Sequence, residues 1–304
     1  MAKASSISHG DQPGPQPALD EQALRRAILA PGRLWTRLDV AAVTGSTNTD
    51  LLAAARAGAP EGTVLAAERQ DDGRGRQGRA WASRPGMSLT FSVLLRPAGV
   101  PPSSRGWLPL LAGVALARAV RDLTGIQTRL KWPNDLLTLD LDGGSGGGAA
   151  GGSKVAGILA EQAGDAIVVG FGINVGGVPP GSGAAGSLAP ASLAAAVAAR
   201  GGQAAGDAGR VPDRGELLAA VLTEMQSWYR AWTAQPRPGD PDGCGLRAEY
   251  LHWSATVGRD LRVELPGGAV LAGRGSGIDA VGRLVVDAGG TATPVSAGDV
   301  LHVR

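Results

Sequence analysis

The sequence predicts an α+β protein in which a larger domain of interspersed strands and helices is followed by a small all-β domain. Three observations carry this. Apolar runs of strand length, punctuated by Gly, Pro and Asn, are mixed with helical patterns up to residue 233. The stretch 213–233 sets Leu217, Leu218, Val221, Leu222, Met225, Trp228, Tyr229 and Trp232 on one broad apolar helix face, read as core. From Ala255 the texture changes to five short strands with turns at Pro266-Gly267-Gly268 and Gly289-Gly290, which fits a small barrel. The expected organisation is a disordered tail over 1–18, the large domain over 19–254 and the small domain over 255–304. Gly-rich, small-residue segments near 143–152, 176–186 and 201–209 are expected as flexible surface insertions, because they hold too little apolar surface to order themselves.

Taken in order, Asp20 can cap a short helix that ends near Ala30-Pro31-Gly32. A strand over 34–43 follows, and Thr49-Asp50 leads into an Ala/Leu-rich helix ending near Gly58. Strands over 63–67 and 88–95 flank an Arg/Gly loop. Ser103 is expected to cap a long helix through Leu123, stopped by Thr124-Gly125. Pro133 breaks the strand pattern that starts at Thr128, and 154–161 and 166–175 resume the sheet. Helices over 190–200 and 213–233 complete the large domain.

Composition excludes several classes. The formal net charge is only +2 and aromatic content 4%, so neither the field nor the stacking surface of a nucleic-acid-coating protein is present. A single cysteine, Cys244, excludes an intrachain disulfide framework and a thiolate metal cluster. The first residues lack an apolar signal region, and the longest apolar pattern, 108–120, is too short to span a bilayer. The cytoplasm is the expected compartment.

Four stretches carry chemistry. In Glu68-Arg69-Gln70-Asp71-Asp72-Gly73-Arg74-Gly75-Arg76-Gln77-Gly78-Arg79, glycines allow close backbone approach and three arginines supply permanently charged, planar donors for a carboxylate or phosphate. The glycine spacing formally matches a dinucleotide fingerprint, but the stretch leads into Pro85-Gly86 and a strand, not a helix. Ser46-Thr47-Asn48 lies at a strand-to-helix junction, where free N–H groups and short polar side chains can receive a polar ligand or merely cap the helix. Lys131-Trp132-Pro133-Asn134-Asp135 displays opposite charges at a bend, an arrangement useful for a polyphosphate and its metal ion and also common in plain turns. Lys154 opens a strand, where its ammonium can meet an acyl or phosphoryl oxygen.

Together these stretches resemble the bacterial biotin protein ligases. Gly45-Ser46-Thr47-Asn48, the loop 73–79 followed by Trp81, Lys131-Trp132-Pro133-Asn134-Asp135, KVAGILAE at 154–161 and GFGINV at 170–175 occur in the family's order. Arg274-Gly275-Ser276-Gly277-Ile278-Asp279 adds a match in the tail, so the resemblance runs from residue 35 to the C-terminus. It implies a mixed-sheet, class II aminoacyl-tRNA-synthetase-like catalytic domain with a small SH3-like β-barrel C-terminal domain. It also implies a two-step reaction: biotin and ATP give biotinyl-5′-AMP and pyrophosphate, and a lysine of a biotin carboxyl carrier domain then displaces AMP.

By the same resemblance, Ser46, Thr47, Asn48 and Gln70 match positions near the biotin ureido ring. Gly73, Arg74, Gly75, Trp81, Lys154 and Gly157 complete the biotin site. Arg74, Arg76, Arg79, Trp81, Lys131, Asn134 and Asn174 serve the adenylate and ATP, Arg76 and Lys154 act in catalysis, and Asp135 is placed at Mg²⁺. No enzyme nucleophile is required, since the attacking groups are the biotin carboxylate and the acceptor lysine. The stretch ahead of Ser46 is short for the winged helix-turn-helix that some members carry. A monomeric or weakly dimeric ligase without repressor activity, DNA binding or membrane association is therefore expected. A lipoate or octanoate ligase is the alternative within the same fold, and a nucleic-acid-binding module the alternative of another class.

Overall fold

The computed structural model describes residues 14–139, 152–180, 182–183, 188–200 and 209–302. Most of the segments expected as flexible insertions therefore lie outside the described residues. The described margins correct that expectation: Gly152 opens a strand, and Gly176, Gly177 and Pro179 are buried. Gly176 donates its N–H to Met87 O at 2.9 Å, so the backbone there belongs to the fold.

A seven-stranded mixed sheet runs in the order β1-β2-β3-β7-β6-β5-β4. Its strands are β1 (Arg37–Thr44), β2 (Thr63–Gln70), β3 (Ser88–Leu95), β4 (Thr128–Lys131), β5 (Asp135–Leu139), β6 (Gly152–Ala163) and β7 (Ala166–Asn174). Only β1 and β2 pair in parallel. Every residue of the central strands β3 and β7 is buried. Because side chains alternate across a strand, β7 divides cleanly. Ile167, Val169, Phe171 and Ile173 enter the main core, whereas Ala166, Val168, Gly170, Gly172 and Asn174 face the other way.

The main core lies under α1 (Glu21–Ile28), α3 (Leu108–Thr124), α5 (Arg214–Thr233) and α6 (Leu246–Trp253). The other face is covered at one end by α2 (Thr47–Arg56), through Leu51, Leu52 and Ala55 against Leu94, Ala166 and Val168. The rest of that face is open and carries the site. α4 (Leu193–Arg200) follows β7.

Helix boundaries refine two expectations. Ser46 is the N-cap of α2 and accepts from Thr49 N, so Thr47 and Asn48 stand in the first turn and not ahead of it. Ser103 does not cap the long helix: a 3₁₀ stretch, Pro102–Trp107, precedes α3, which Gly125 ends in a left-handed conformation.

The C-terminal strands β8 (Asp260–Glu264), β9 (Val270–Ile278), β10 (Leu284–Ala288), β11 (Thr291–Val295) and β12 (Asp299–His302) form a separate antiparallel sheet, ordered β11-β10-β9-β8-β12. Its apolar residues Leu261, Val263, Ile278, Leu284 and Val286 join the main core. Two buried indoles seat it: Trp107 Nε1 donates to Asp279 O and Ala280 O at 3.2 and 3.1 Å, and Trp132 Nε1 to Gly282 O at 3.2 Å. Buried N–H groups so engaged fix the approach of the two sheets, and β12 is brought to the rim of the open face.

Candidate active site

The open face of the sheet floors a cavity of about 960 Å³. Of the residues singled out in the sequence, Ser46, Thr47, Asn48, Gln70, Arg74, Gly75, Arg76, Arg79, Trp81, Lys131, Asn134, Asp135, Lys154, Gly157 and Asn174 all line it. Gly73 does not. It is buried beneath the loop, where a Cβ would collide with Trp81 O and approach Gln70 Nε2 to 3.0 Å.

The Arg/Gly stretch is shorter as a loop than the sequence reading had it. β2 extends to Gln70, and 73–81 folds as a narrow hairpin held by Trp81 N to Gly73 O (2.7 Å) and Gly75 N to Arg79 O (2.6 Å). A 3₁₀ turn, Arg76–Gly78, closes it, with Gln77 at φ 55° and Gly78 at φ 71°. The hairpin sends its arginines to different places. Arg74 reaches Thr49 Oγ1 (2.9 Å) and Glu161 (3.2 Å), and Arg79 pairs with Asp299 of β12 at 2.7 Å. Arg76 touches Asn134 Oδ1 at 3.4 Å.

Lys154 faces the cavity because of a bulge. Asp135 pairs with Gly157 and Leu136 with Ala156, but Leu137 pairs with Lys154. Val155 and Ala156 both turn into the core, and alternation resumes with Lys154 on the open face, where Nζ lies 2.7 Å from Asp135 Oδ1. The Asp135 carboxylate, which the resemblance places at Mg²⁺, is engaged by this lysine, and no group of three His, Cys, Asp or Glu that could hold a metal occurs among the described residues.

Of the arginines and lysines that line the cavity, Arg76 and Lys131 have no carboxylate of the described residues within ion-pair distance. Burial holds the Arg76 guanidinium below its ordinary value, against the pull of Asp299 and Asp135. Burial likewise lowers the Lys131 ammonium, opposed by Asp135 and assisted by Lys154. Partly desolvated and unpaired, these two charges define the anion-seeking end of the cavity.

The opposite end is neutral. Thr47 N–H donates to Gln70 Oε1 at 2.8 Å, Thr47 and Ser92 hydroxyls lie 2.7 Å apart, and Ser92 donates to Asn48 Oδ1 at 2.7 Å. Between the two ends the floor is glycine. A Cβ at Gly157 would stand 3.2 Å from Trp81 Cζ3, one at Gly172 2.7 Å from Trp81 Cζ2, and one at Gly170 2.9 Å from Asn48 Cγ. The Trp81 indole lies on this floor with Lys154 Nζ 5.7 Å from its ring centre. Asn174 lines the cavity, yet its amide donates to Ala191 O at 3.0 Å and so also fastens the segment beyond β7.

The sequence reading missed Ser92, Glu161, Gly170, Gly172 and the β12 residues Asp299 and His302. Ser88, Thr90 and Ser92 recur with period two on β3, opposite Asn174, Gly172 and Gly170, a polar stripe that alternation alone could have exposed.

A glycine floor, a neutral hydrogen-bonding end and a cationic end under an Arg-bearing hairpin suit a ligand with a neutral polar head and an anionic tail. Residues 40–177 match the model of the biotin/lipoate A/B protein ligase family. The chain is 41% identical over 293 residues to the biotin–[acetyl-CoA-carboxylase] ligase of Mycobacterium tuberculosis, covering 95% of this chain and 97% of that one. The chain therefore belongs to the biotin protein ligases of that family. A bifunctional ligase/repressor of Bacillus subtilis is 37% identical over 146 residues, 46% of this chain and 40% of that protein. A biotin protein ligase from Aquifex aeolicus, solved in complex with biotin and ATP, shares the fold: the TM-score is 0.67 over 89% of this chain and 100% of that one, at 24% identity.

Proposed function

We propose that this chain joins biotin to ATP to form biotinyl-5′-AMP, then transfers the biotinyl group to a lysine of a biotin carboxyl carrier domain. The observation that carries the assignment of roles is the polarity of the one cavity. Its neutral end, Ser46, Thr47, Asn48 and Gln70, offers donors and acceptors suited to a urea, and its cationic end offers Arg76 and Lys131 to phosphate. A lipoyl acid has no hydrogen-bonding head group for the neutral end.

In the first step a biotin carboxylate oxygen attacks the α-phosphorus and the bond to pyrophosphate breaks. Arg76, partly desolvated, stabilises the charge that gathers on the phosphoryl oxygens, and Lys131 takes the departing phosphates. Mg²⁺ enters with ATP as part of the substrate, held by its phosphates. Lys154 is paired with Asp135 and stands beside Trp81 over Gly157, where the new acyl-phosphate sits. In the second step the acceptor amine attacks the acyl carbon, AMP leaves as an anion and the amine proton is released to solvent. No side chain of the enzyme forms a covalent bond.

The setting of this reaction is the cytoplasm, where carrier domains are made; no helix among the described residues is long and apolar enough to cross a membrane. The test is pyrophosphate release by the full chain with Mg·ATP and either biotin or lipoate. Release with biotin alone is expected, falling at least about a hundredfold in Arg76→Ala. Release only with lipoate would replace the substrate, and undiminished turnover in Arg76→Ala would remove the role given to that arginine.

A further inference from the structure

The hydrogen bonds of the neutral end form a chain whose direction can be worked out atom by atom. Asn48 is 4% exposed and Ser92 fully buried, so water does not complete their hydrogen bonding. The Asn48 amide nitrogen lies 3.1 Å from Leu159 O and 2.8 Å from Glu161 Oε2. Both partners only accept, so both demand the N–H side of the amide, and Oδ1 must point to Ser92. The Ser92 hydroxyl has one proton and spends it on Asn48 Oδ1. With the Ser92 proton spent, the Thr47 hydroxyl has two acceptors for its single proton, Ser92 Oγ at 2.7 Å and Gln70 Oε1 at 3.0 Å. Gln70 Oε1 takes the Thr47 N–H at 2.8 Å, which turns the Gln70 amide nitrogen away from Thr47.

The orientation of the Asn48 amide and the direction of the Ser92 proton thus follow from the acceptor-only groups at the far end, Leu159 O and the Glu161 carboxylate. The same carboxylate receives Arg74 from the hairpin, whose Nη2 lies 3.2 Å from Oε1 and 3.3 Å from Oε2. Glu161 lies outside the cavity lining and touches no ligand position. We propose that Glu161 is a positioning residue that sets the donor and acceptor polarity of the urea-reading cluster, acting through Asn48 and Ser92 while the same carboxylate holds Arg74. The inference rests on biotin being the acid that this cavity activates.

Glu161→Gln is the informative change. A glutamine keeps the size, but Arg74 Nη2 lies beside both oxygen positions and Asn48 Nδ2 beside one, so either turn of the new amide sets its NH₂ group against a donor, Arg74 Nη2 in one and Asn48 Nδ2 in the other. Either Asn48 turns over and reverses the series, or Arg74 is released. Ser92 and Glu161 share no contact, so independent local roles would give additive effects, whereas a chain of fixed direction couples them.

The experiment measures pyrophosphate release by the full-length wild type, Glu161→Gln, Ser92→Ala, the double variant and Arg74→Ala, with KM for biotin and for ATP determined separately. Each of the first two single variants is expected to raise the biotin KM about tenfold, leaving the ATP KM and kcat within about threefold. The double variant is expected to be no worse than the weaker single. An unchanged biotin KM in Glu161→Gln, or additive losses in the double, overturns the proposal. So does an Arg74→Ala variant that reproduces both the Glu161→Gln loss and its coupling to Ser92, since Glu161 would then act on the hairpin alone. If Glu161→Gln fails to fold, Glu161→Asp, too short to reach Asn48, replaces it with the same outcomes. A wild type that turns over no biotin overturns the proposed function and this inference together. An active wild type with unaffected variants overturns the inference alone.

Discussion

Gly172→Ala tests whether the bare floor of the cavity exists to seat the Trp81 indole. Gly172 is not among the glycines with positive φ, so the backbone accepts alanine. Alanine in a strand interior would by itself stabilise by about 0.5–1 kcal/mol through the unfolded chain. Opposing this, the new methyl carbon would lie 2.7 Å from Trp81 Cζ2 and nearer still to Cε2 and Nε1. Ordinary contact needs about 3.5–4 Å, so the ring must retreat by more than about 1 Å. Overpacking of this kind costs about 1–3 kcal/mol, so steric strain outweighs the backbone gain and the melting temperature should fall by a few degrees. The functional loss should be larger. A shift of about 1 Å in a positioning group can cost about a hundredfold, so biotin-dependent pyrophosphate release should drop to that extent in kcat/KM. Thermal unfolding and the release assay are run beside Gly277→Ala, where nothing stands within 4 Å, so only the small backbone gain in stability and no change in turnover are expected. Turnover of Gly172→Ala within twofold of wild type would refute the reasoning.

Two further predictions concern stability. Arg214 is 1% exposed and gives Nη1 to Glu68 Oε2 at 2.8 Å and Nη2 to Pro17 O at 2.5 Å, tying α5 and the 14–19 segment to the base of the Arg-bearing hairpin. Arg214→Met leaves the half-buried Glu68 carboxylate without its cation and should cost about 3 kcal/mol in denaturant unfolding, with part recovered in Arg214→Met/Glu68→Met; a loss below about 1 kcal/mol would contradict it. His302 is held down to about 4 by burial, with Lys131 and Arg259 adding to the shift. Its folded value lies below the unfolded one near 6.5, so the unfolded state binds more protons between these values and stability is lost as pH falls from 6.5 to 4. Because the ring is partly exposed, the loss is about 1–2 kcal/mol, and His302→Leu should flatten the wild-type difference over that window in pH-dependent melts.

The parts of the fold visible in the sequence were those fixed by local chemistry. The strand Ser88–Leu95, the cap at Asp20 and the glycine stop after α3 follow from alternation, capping and left-handed turns. The residues of the cavity were visible as types and motifs, because the ends of β1, β2, β4 and β7 each carry one. The rest depends on partners distant in the chain. The bulge at Val155 is chosen by the register of β5 against β6, and nothing in Lys154-Val155-Ala156 alone announces it. Arg79 and Asp299 are 220 residues apart, and Arg74 and Glu161 are 87 apart. Periodicity cannot see such pairs.

Those distant pairs change what the three-arginine hairpin does. Had all of Arg74, Arg76, Arg79, Lys131 and Lys154 faced the ligand unpaired, their mutual repulsion in a partly desolvated cavity would have opposed closure. Instead Glu161, Asp299 and Asp135 each hold one of them. The held arginines fasten the hairpin to α2 and β6 and to the C-terminal sheet, while Lys154 joins β6 to the β5 corner, so the surrounding elements fix the hairpin's position. Arg76, borne on the same hairpin, and Lys131, at the end of β4, are left uncompensated. The field that meets the phosphate is thus a difference between fixed positive and negative groups, and the identity of the unpaired cations, more than their number, determines where the phosphate binds.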